Sequence, residues 1–257
     1  MLKFLDFVRT AFWIGILTLI MSTFTMLAVF QSNLKPTWKQ VMNEDNISAE
    51  LTSKETKAVQ LSRNSAVKLM SMSMNIFSGI STMSGTYFEA NDRPYVMTVY
   101  HGIMGPCVLV MITHADYSAE CKEYVVVDEY NDYVIMELKE KMPNRTPVKI
   151  PDDLPRGSEW KRSYSILSNI IYTGYPNTLG PLTLRGDVVG YNQNEYLYVF
   201  SHAYGGASGS GVFSKEGKYI GYIVAIDVGS TELGPDVLEN IVIVAPSLNI
   251  DWVAVIN

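Results

Sequence analysis

The chain has 257 residues, of which 47% are hydrophobic and 18% are charged, so it can bury a sizeable core. Residues 1–35 hold three of the 20 basic residues and one of the 26 acidic residues, which leaves a net charge of −8 on residues 36–257. A surface with this charge repels nucleic acid backbones and excludes nucleic acid as an expected partner. Three histidines and two cysteines, without a metal-type cysteine pair, favour no metal site, and no cofactor is predicted.

The first feature in chain order is the uncharged segment 11–30, "AFWIGILTLIMSTFTMLAVF". Twenty apolar residues in a helix span roughly 30 Å, the thickness of the hydrocarbon core of a bilayer. We predict a transmembrane anchor after a short tail, residues 1–10. The alternative is a cleaved signal peptide of a secreted protein, but the run is long and "AVFQSN" lacks an A-x-A cleavage site.

The basic residues that flank the span decide its orientation only weakly. Lys3 and Arg9 precede the span, and Lys35 and Lys39 follow it. The positive-inside rule then slightly favours a cytoplasmic N-terminus. The rest of the chain is accordingly expected outside the cytoplasm.

Residues 31–63 are polar and have few large apolar side chains. The sequence "TSKE" at 52–55 fits a helix capping box, in which Thr and Glu side chains satisfy each other's backbone N–H groups. We predict a stalk or linker that is partly helical, and we expect the folded domain to occupy residues 64–257.

From residue 64 the pattern changes to short runs rich in Val, Ile and Tyr. Examples are "RPYVMTVYH" at 93–101, "SYSILSN" at 163–169 and "YIGYIVAID" at 219–227, and Gly, Pro, Asn or Asp separates the runs. Many short strands without helical patterns between them indicate an all-β barrel or sandwich. The last residues, "PSLNIDWVAVIN", are predicted to form a short C-terminal helix.

The two cysteines, Cys107 and Cys121, are candidates for a disulfide. A bridge would close a loop of about 15 residues and would be worth about 3 kcal/mol. An oxidising compartment would permit the bridge. Two buried free thiols are the alternative, and the sequence leaves both open.

Small residues crowd around Ser208 in "FSHAYGGASGSGVFS" at 200–214. A flexible linker would have this composition, but a linker would not be flanked closely by strand-like runs on both sides. A backbone bent tightly around a nucleophile is the better interpretation. A serine hydroxyl then needs a base to take its proton, a carboxylate to hold the base, and donors for the developing oxyanion.

Candidates for these roles occur earlier in the chain. His101 ends an apolar strand at a turn, and its ordinary pKa of about 6.5 suits a general base. Asp132 lies in a turn directly before a strand, and Asp128, four residues earlier, is a competitor. Either aspartate could equally be a simple turn residue. The N–H groups of Gly206 and Ser208 could point together as an oxyanion hole, since glycine relaxes the backbone restriction on such a turn.

These motifs together resemble the trypsin-fold (chymotrypsin-like) serine proteases. That family carries a strand ending in His, then an Asp before an apolar strand, then G-x-S-G, and here these are "TVYHG" at 98–102, "NDYVIMEL" at 131–138 and "GASGSG" at 206–211. The spacings of 31 and 76 residues are similar to those of the compact bacterial and viral branch, which includes the high-temperature-requirement proteases. "GYPNTLG" at 174–180 is similar to the G-x-P-x-x-x-G loop of that branch.

The resemblance implies a double six-stranded antiparallel β-barrel and a serine endopeptidase that cleaves protein or peptide substrates. Ser208 would be the nucleophile, His101 the base, Asp132 its orienting carboxylate, and Gly206 and Ser208 the oxyanion donors. Ala207 and Ser210 depart from the usual motif, but the chemistry requires neither side chain. No Ile-Val-Gly-Gly start is present, so activity without zymogen cleavage is expected.

Substrate specificity is the least determined property. In the family the floor of the S1 pocket lies about six residues before the serine, which here is His202, and one wall would be Val224, Ala225 and Ile226. A histidine there could favour an acidic or amide P1 side chain, although a structural histidine pointing elsewhere is the alternative. The oligomeric state stays open.

A different class of function also fits the same sequence. A protease-like fold could serve only as a membrane-tethered binding or assembly module, with no catalysis. The order Ser, acid, His of an α/β-hydrolase does not fit, because the histidine comes first here.

Overall fold

The computed structural model describes residues 12–23, 47–48, 50–74, 79–115, 117–231 and 234–256. Within these ranges, only the backbone is described for residues 226–239. The chain divides into two compact units, Met1–Ile47 and Ser48–Asn257.

In the first unit, residues 12–23 form a helix, α1. Among the described residues, no helix combines the length and the apolar character that crossing a membrane would require. The predicted tail, residues 1–10, and residues 11 and 24–30 of the predicted anchor lie outside the described residues. The transmembrane anchor therefore stays a prediction.

The second unit opens with helix α2, Ser53–Ser65, which begins at the capping box that the sequence predicts. The Thr52 hydroxyl accepts a hydrogen bond from the Glu55 N–H at 3.3 Å, and a Glu55 carboxylate oxygen accepts one from the Thr52 N–H at 3.0 Å. The helix packs on the second barrel through small buried side chains such as Ala58 and Ser62. The compact unit begins at Ser48, ahead of residue 64. The helix belongs to it because small side chains are buried and the partly buried Leu61 packs against the core.

The first barrel is a closed antiparallel sheet of six strands in the order β1-β4-β5-β6-β3-β2, closed by pairing of β1 with β2. Strand β7 adds to β2 in parallel, outside the closed sheet. The strands are β1 Ala66–Met72, β2 Ile80–Ala90, β3 Arg93–Thr98, β4 Val110–His114, β5 Tyr117–Asp128, β6 Tyr133–Leu138 and β7 Val148–Lys149.

The second barrel is also a closed antiparallel sheet of six strands, in the order β10-β13-β12-β11-β8-β9. Its strands are β8 Asn169–Gly174, β9 Leu182–Tyr191, β10 Leu197–Phe200, β11 Gly211–Ser214, β12 Tyr219–Thr231 and β13 Gly234–Pro246. A short helix, α3 Glu159–Tyr164, precedes β8. The predicted double six-stranded barrel is therefore confirmed, whereas the strand predicted over 163–169 is wrong, since helix α3 and a turn fill that stretch up to β8.

Each barrel has an apolar interior. Val67, Leu69 and Ile135 are fully buried in the first barrel, and Val188 and Val242 are fully buried in the second. Burial of this apolar surface is the main source of the free energy of folding.

The C-terminal segment packs across both barrels. The chain ends in the short helix α4, Val253–Ile256, as the sequence predicts. Just before it, the Trp252 ring lies 5.5 Å from the Phe88 ring of barrel 1 and 6.0 Å from the Tyr219 ring of barrel 2, both edge-on. Such edge-on aromatic pairs add about 0.5–1.5 kcal/mol beyond the burial of their area, so this contact helps to fix one barrel against the other.

Candidate active site

The register of barrel 1 explains why His101 and Asp132 meet. Strands β3 and β6 are antiparallel neighbours, and Thr98 pairs with Val134. Three residues further along the chain, His101 is opposite the turn that contains Asp132. A backbone hydrogen bond also joins the two segments beyond the paired strands, because the Tyr100 N–H donates to the Asp132 carbonyl at 3.2 Å.

The Asp132 carboxylate holds His101 through both of its oxygens. The backbone N–H of His101 donates to Asp132 Oδ1 at 2.8 Å, and His101 Nδ1 lies 2.7 Å from Asp132 Oδ2. Asp132 has a backbone φ of +57°, a left-handed conformation that Asp tolerates better than most residues. This geometry keeps Nδ1 protonated and leaves Nε2 free to act as a base.

Asp128 has a different role. One of its carboxylate oxygens accepts hydrogen bonds from the N–H groups of Tyr130 and Asn131, at 3.0 and 2.9 Å. This is the local turn hydrogen bonding that Asp side chains favour. Of the two candidate acids, the structure places only Asp132 against His101.

The pKa of His101 is raised above its ordinary value of about 6.5. The hydrogen bond to Asp132 is the main cause, burial opposes it, and the negative charge of Asp132 adds to it. The His101 side chain is 53% exposed, so it can exchange protons with solvent. A higher pKa makes the imidazole a stronger base once it is deprotonated.

Barrel 2 supports the turn that carries Asp132. The Tyr222 hydroxyl, from strand β12, donates to the carbonyl of Asn131, and the Tyr222 ring lies 6.0 Å from the Tyr133 ring. Burial strongly raises the pKa of Tyr222, so the hydroxyl stays protonated and keeps donating. Asp132 is thereby fixed from both barrels.

Ser208 lies in the loop between β10 and β11, residues 201–210, which we call the nucleophile loop. Four consecutive carbonyls of this loop each accept a hydrogen bond. The Gly205 carbonyl accepts from the Asn177 N–H at 2.7 Å, and the Gly206 carbonyl accepts from the Ser84 hydroxyl at 2.7 Å. The next two carbonyls, of residues 207 and 208, are equally paired, so the direction of every peptide in this stretch is fixed.

The partners of those two carbonyls come from both sides of the serine. The Ala207 carbonyl accepts from the N–H of Ser210 at 3.0 Å and from its hydroxyl at 2.6 Å. The Ser208 carbonyl accepts from the Ser84 N–H at 2.9 Å. Ser210, which departs from the usual glycine of the motif, therefore stabilises the loop.

Two N–H groups of the nucleophile loop stay available. In a planar trans peptide the N–H points opposite to the carbonyl. Because the Gly205 and Ala207 carbonyls are engaged, the N–H groups of Gly206 and Ser208 point away from Asn177 and Ser210, respectively. Within the described part of the chain neither N–H donates a hydrogen bond. These are the two donors that the sequence proposes for an oxyanion hole.

Two glycines of the loop are required by close contacts. Gly206 has φ +93°, and a Cβ there would lie 3.0 Å from the Tyr175 carbonyl oxygen. Gly209 has φ +86°, and a Cβ there would lie 2.1 Å from the Ser84 carbonyl oxygen. Both positions combine a left-handed backbone with contact against another backbone, which only glycine accommodates.

A cavity of about 430 Å³ lies beside Ser208. His101 and Ser208 both line it, so the base of barrel 1 and the serine of barrel 2 share one space. Among the described residues no hydrogen bond joins the His101 ring to the Ser208 hydroxyl. Catalytic hydrogen bonds are often long in an unliganded enzyme and shorten only with substrate bound. The other residues that line the cavity are Ala203, Tyr204, Gly205, Ala207, Ile223, Val224 and Ala225.

The residues predicted for the substrate pocket separate into two groups. Val224 and Ala225, two of the residues predicted for the pocket wall, line the cavity beside Ser208. His202 instead lines another cavity of about 380 Å³, together with Arg185 and Lys215. The side chain of Ile226 lies outside the described residues. His202 therefore lines a different cavity from the one that Ser208 lines.

Comparison of the sequence with family models and with curated proteins gives no match. Solved structures do match. The serine endoprotease from Yersinia pestis superposes with a TM-score of 0.57 at 19% identity, over 77% of this chain and 64% of that one. The HtrA-type protease AlgW, solved with a tripeptide, gives a TM-score of 0.56 at 17% identity, over 76% of this chain and 60% of that one. The matched part is thus less than two thirds of either structure.

The fold is that of the trypsin-like serine proteases. Both barrels and the likeness to these proteases establish it, and the resemblance seen in the sequence is confirmed at this level. Several residues that shape the site of this trypsin-like domain carry no sequence signal of their own. Ser84 and Tyr222 belong to ordinary strands, and only contacts between segments that are distant in sequence bring them to the site. Asn177 lies in the G-x-P-x-x-x-G loop, which the sequence marks without showing what it contacts.

Proposed function

We propose that this trypsin-like domain is a serine endopeptidase in which Ser208, His101 and Asp132 form the catalytic triad. The observation that carries the proposal is the shared cavity. It is lined by His101, whose Nδ1 is hydrogen-bonded to Asp132, and by Ser208. The backbone N–H groups of Gly206 and Ser208 have no partner among the described residues. General base, nucleophile and oxyanion donors are the parts that acyl transfer requires.

In the acylation step, Ser208 Oγ attacks the scissile carbonyl carbon while His101 Nε2 takes the serine proton. Asp132 keeps His101 in the right tautomer and stabilises the imidazolium that forms. The N–H groups of Gly206 and Ser208 donate to the oxyanion of the tetrahedral intermediate. The intermediate collapses as His101 gives its proton to the leaving amine.

Deacylation repeats the sequence with water as the nucleophile. His101 takes a proton from water, the hydroxide attacks the acyl-enzyme, and the proton returns to Ser208 as the acid product leaves. Every proton transfer in this scheme uses His101, and no cofactor takes part.

The lining of the cavity suggests the preferred P1 side chain. Ala203, Ala207, Ile223, Val224 and Ala225 surround the space beside Ser208 with apolar groups. A charged P1 side chain would lose hydration against these apolar groups. We therefore propose a small apolar P1 residue, and not the acidic or amide P1 that a histidine in the pocket would favour, because His202 lines the other cavity.

The anchor of the proposed enzyme is segment 11–30. Its twenty uncharged residues support a membrane tether. The basic residues that flank the segment slightly favour a protease domain outside the cytoplasm. Extraction of membranes with alkaline carbonate tests the tether. The full chain should stay in the pellet, and release of the full-length protein into the supernatant would contradict it.

The alternative is a protease-like binding or assembly module without catalysis. One observation favours it: among the described residues, the Ser208 hydroxyl makes no hydrogen bond to His101. A module of this kind needs no activated serine. The two proposals therefore differ in the reactivity of Ser208.

The test is active-site labelling of the full chain in mild detergent, followed by intact mass measurement. Wild type, Ser208→Ala and the control Ser62→Ala, which changes a buried serine of helix α2, are treated with a fluorophosphonate. The same proteins are then treated with peptidyl diphenyl phosphonates that carry valine or glutamate at P1.

We expect one adduct on wild type and on Ser62→Ala, none on Ser208→Ala, and faster labelling by the valine probe. Folded wild-type protein that forms no adduct with the fluorophosphonate would contradict the endopeptidase and favour the binding module. Faster labelling by the glutamate probe would contradict only the apolar P1 pocket.

A further inference from the structure

Ser84, on strand β2 of barrel 1, is fully buried and contacts the nucleophile loop of barrel 2 through both its backbone and its side chain. Its N–H donates to the Ser208 carbonyl at 2.9 Å. Its hydroxyl donates to the Gly206 carbonyl at 2.7 Å. One residue of the first barrel thus holds two of the four carbonyls that fix the backbone around the serine.

The Ser84 hydroxyl also accepts a hydrogen bond from the Tyr175 N–H at 2.8 Å. Tyr175 begins the turn whose Asn177 N–H holds the Gly205 carbonyl. Asn177 and Thr178 have φ values of +48° and +62°, a left-handed pair that persists only when neighbouring contacts impose it. A single oxygen atom therefore joins barrel 1, this strained turn and the nucleophile loop.

Ser84 is itself held from the strand that leads to His101. Thr98, the last residue of β3, donates its hydroxyl to the Ser84 carbonyl at 2.6 Å. Gly209 lies against the same carbonyl, so closely that a Cβ would be only 2.1 Å away. Thr98, Ser84 and the nucleophile loop thus form a continuous path from the proposed base to the proposed nucleophile.

We infer that Ser84 is a positioning residue of the proposed peptidase: it holds the nucleophile loop in the arrangement that keeps the Gly206 and Ser208 N–H groups unpaired and available to the oxyanion. The inference rests on the proposed function for its catalytic consequence. Removal of the hydroxyl leaves a buried Tyr175 N–H and the Gly206 carbonyl without a partner. The Gly205–Gly206 pair can then reorient, because glycine has access to many backbone conformations.

The test compares Ser84→Ala with Ser62→Ala in the full chain. Ser62 is also buried, and its hydroxyl donates to Thr173 at 2.8 Å without touching the nucleophile loop. Steady-state kinetics on a peptide ester, hydrogen exchange of peptides that cover residues 203–210, and thermal unfolding are measured for both variants.

For Ser84→Ala we expect kcat to fall by about tenfold to a hundredfold, less than the loss of an oxyanion donor itself, with KM within about threefold of wild type. Exchange over residues 203–210 should increase. The acid limb of the pH profile should stay in place, since His101 and Asp132 are untouched. Ser62→Ala should lose comparable thermal stability while keeping the kcat and exchange of wild type.

Two results would overturn the inference. One is a Ser84→Ala protein with the kcat and the exchange of wild type. The other is a loss of kcat that Ser62→Ala shares in proportion to its loss of stability. If wild type forms no fluorophosphonate adduct, the proposed function fails, and exchange alone still decides whether Ser84 anchors the loop. If Ser84→Ala does not fold, Ser84→Cys keeps the size with a weaker donor and should shift kcat and exchange in the same direction.

Discussion

In barrel 1, His101 and Asp132 are joined to each other by two short hydrogen bonds, one of them between their side chains. In barrel 2, Ser208 is held through its backbone, and the hydrogen bonds go to the carbonyls around it. The base is thus oriented by one carboxylate, whereas the nucleophile is oriented by a set of peptide groups and by glycines that allow close contact.

This difference predicts that substitutions at the two places affect the protein in different ways. A substitution of the carboxylate changes the protonation and the tautomer of the imidazole but leaves the packing nearly intact. A substitution in the nucleophile loop changes the backbone, so it costs stability as well as reactivity. Measurements of kcat and of the free energy of unfolding on the same variants separate the two.

The largest expected effect is that of Asp132→Asn. The amide keeps the size of the carboxyl group but favours the wrong tautomer of His101, so kcat should fall by about 10,000-fold. Since Asp132 raises the pKa of His101, its loss should move the acid limb of kcat/KM to lower pH. The melting temperature should change little. Kinetics from pH 5 to 9 and thermal unfolding measure these effects.

Asp128→Asn is the matched control for that variant. Its side-chain oxygen can still accept from the Tyr130 and Asn131 N–H groups, so the turn should persist. We expect kcat within about threefold of wild type and an unmoved acid limb. An equal loss of kcat in both variants would show that the shape of the turn, and not the Asp132 carboxylate, controls the base.

The pair also makes stability depend on pH in a defined direction. The pKa of His101 is raised in the folded chain above its unfolded value of about 6.5. The stabilising contribution is therefore complete below the unfolded pKa and is lost as the pH rises through the folded pKa. Asp132→Asn should remove this pH dependence.

The next effect in size is that of Gly209→Ala, which tests the backbone control of barrel 2. Its Cβ would lie 2.1 Å from the Ser84 carbonyl oxygen in a left-handed backbone, so strain and overpacking should cost about 4 kcal/mol. Urea unfolding measures the loss, and fluorophosphonate labelling of the folded fraction should slow with it.

Gly180→Ala is the control for the glycine substitution. Nothing lies within 4 Å of a Cβ at Gly180, and its φ is outside the left-handed region. Its stability should stay within about 0.5 kcal/mol of wild type. If Gly209→Ala were as stable as Gly180→Ala, the close contact between the barrels would not constrain the nucleophile loop.

The sequence predicts the parts of the site that depend on local pattern. His101 and Asp132 each lie beside an apolar run, and the two runs became the paired strands β3 and β6. The glycines around Ser208 predict a tight turn, which the structure shows. The network around Ser84 could not be predicted, because it depends on contact between residues 84, 175 and 206, and no local pattern encodes such contacts.

The stretch 163–169 shows how a local pattern can mislead. Its Tyr and Ile favour a strand, yet residues up to Tyr164 are helical. Trp160 and Tyr164, four residues apart, stack at 5.7 Å, and the Tyr164 hydroxyl donates to the Ile220 carbonyl at 2.6 Å. Ile166 and Leu167 are exposed. Tertiary contacts of one aromatic residue thus outweigh the β propensity of its neighbours.

The smallest expected effect on catalysis comes from the disulfide between Cys107 and Cys121, which joins the chain just beyond the His101 turn to strand β5. For a loop of about 15 residues, Cys107→Ala/Cys121→Ala should lower the free energy of unfolding by about 3 kcal/mol. Because, among the described residues, neither cysteine is hydrogen-bonded to His101 or Asp132, kcat should stay within about threefold. Urea unfolding with and without reductant measures the effect, and reductant should change wild type but not the double variant. A large loss of kcat in the folded double variant would mean that the position of His101 depends on the disulfide as well as on Asp132. His101 would then, like Ser208, be held by several constraints, and the difference between the barrels would be smaller than proposed.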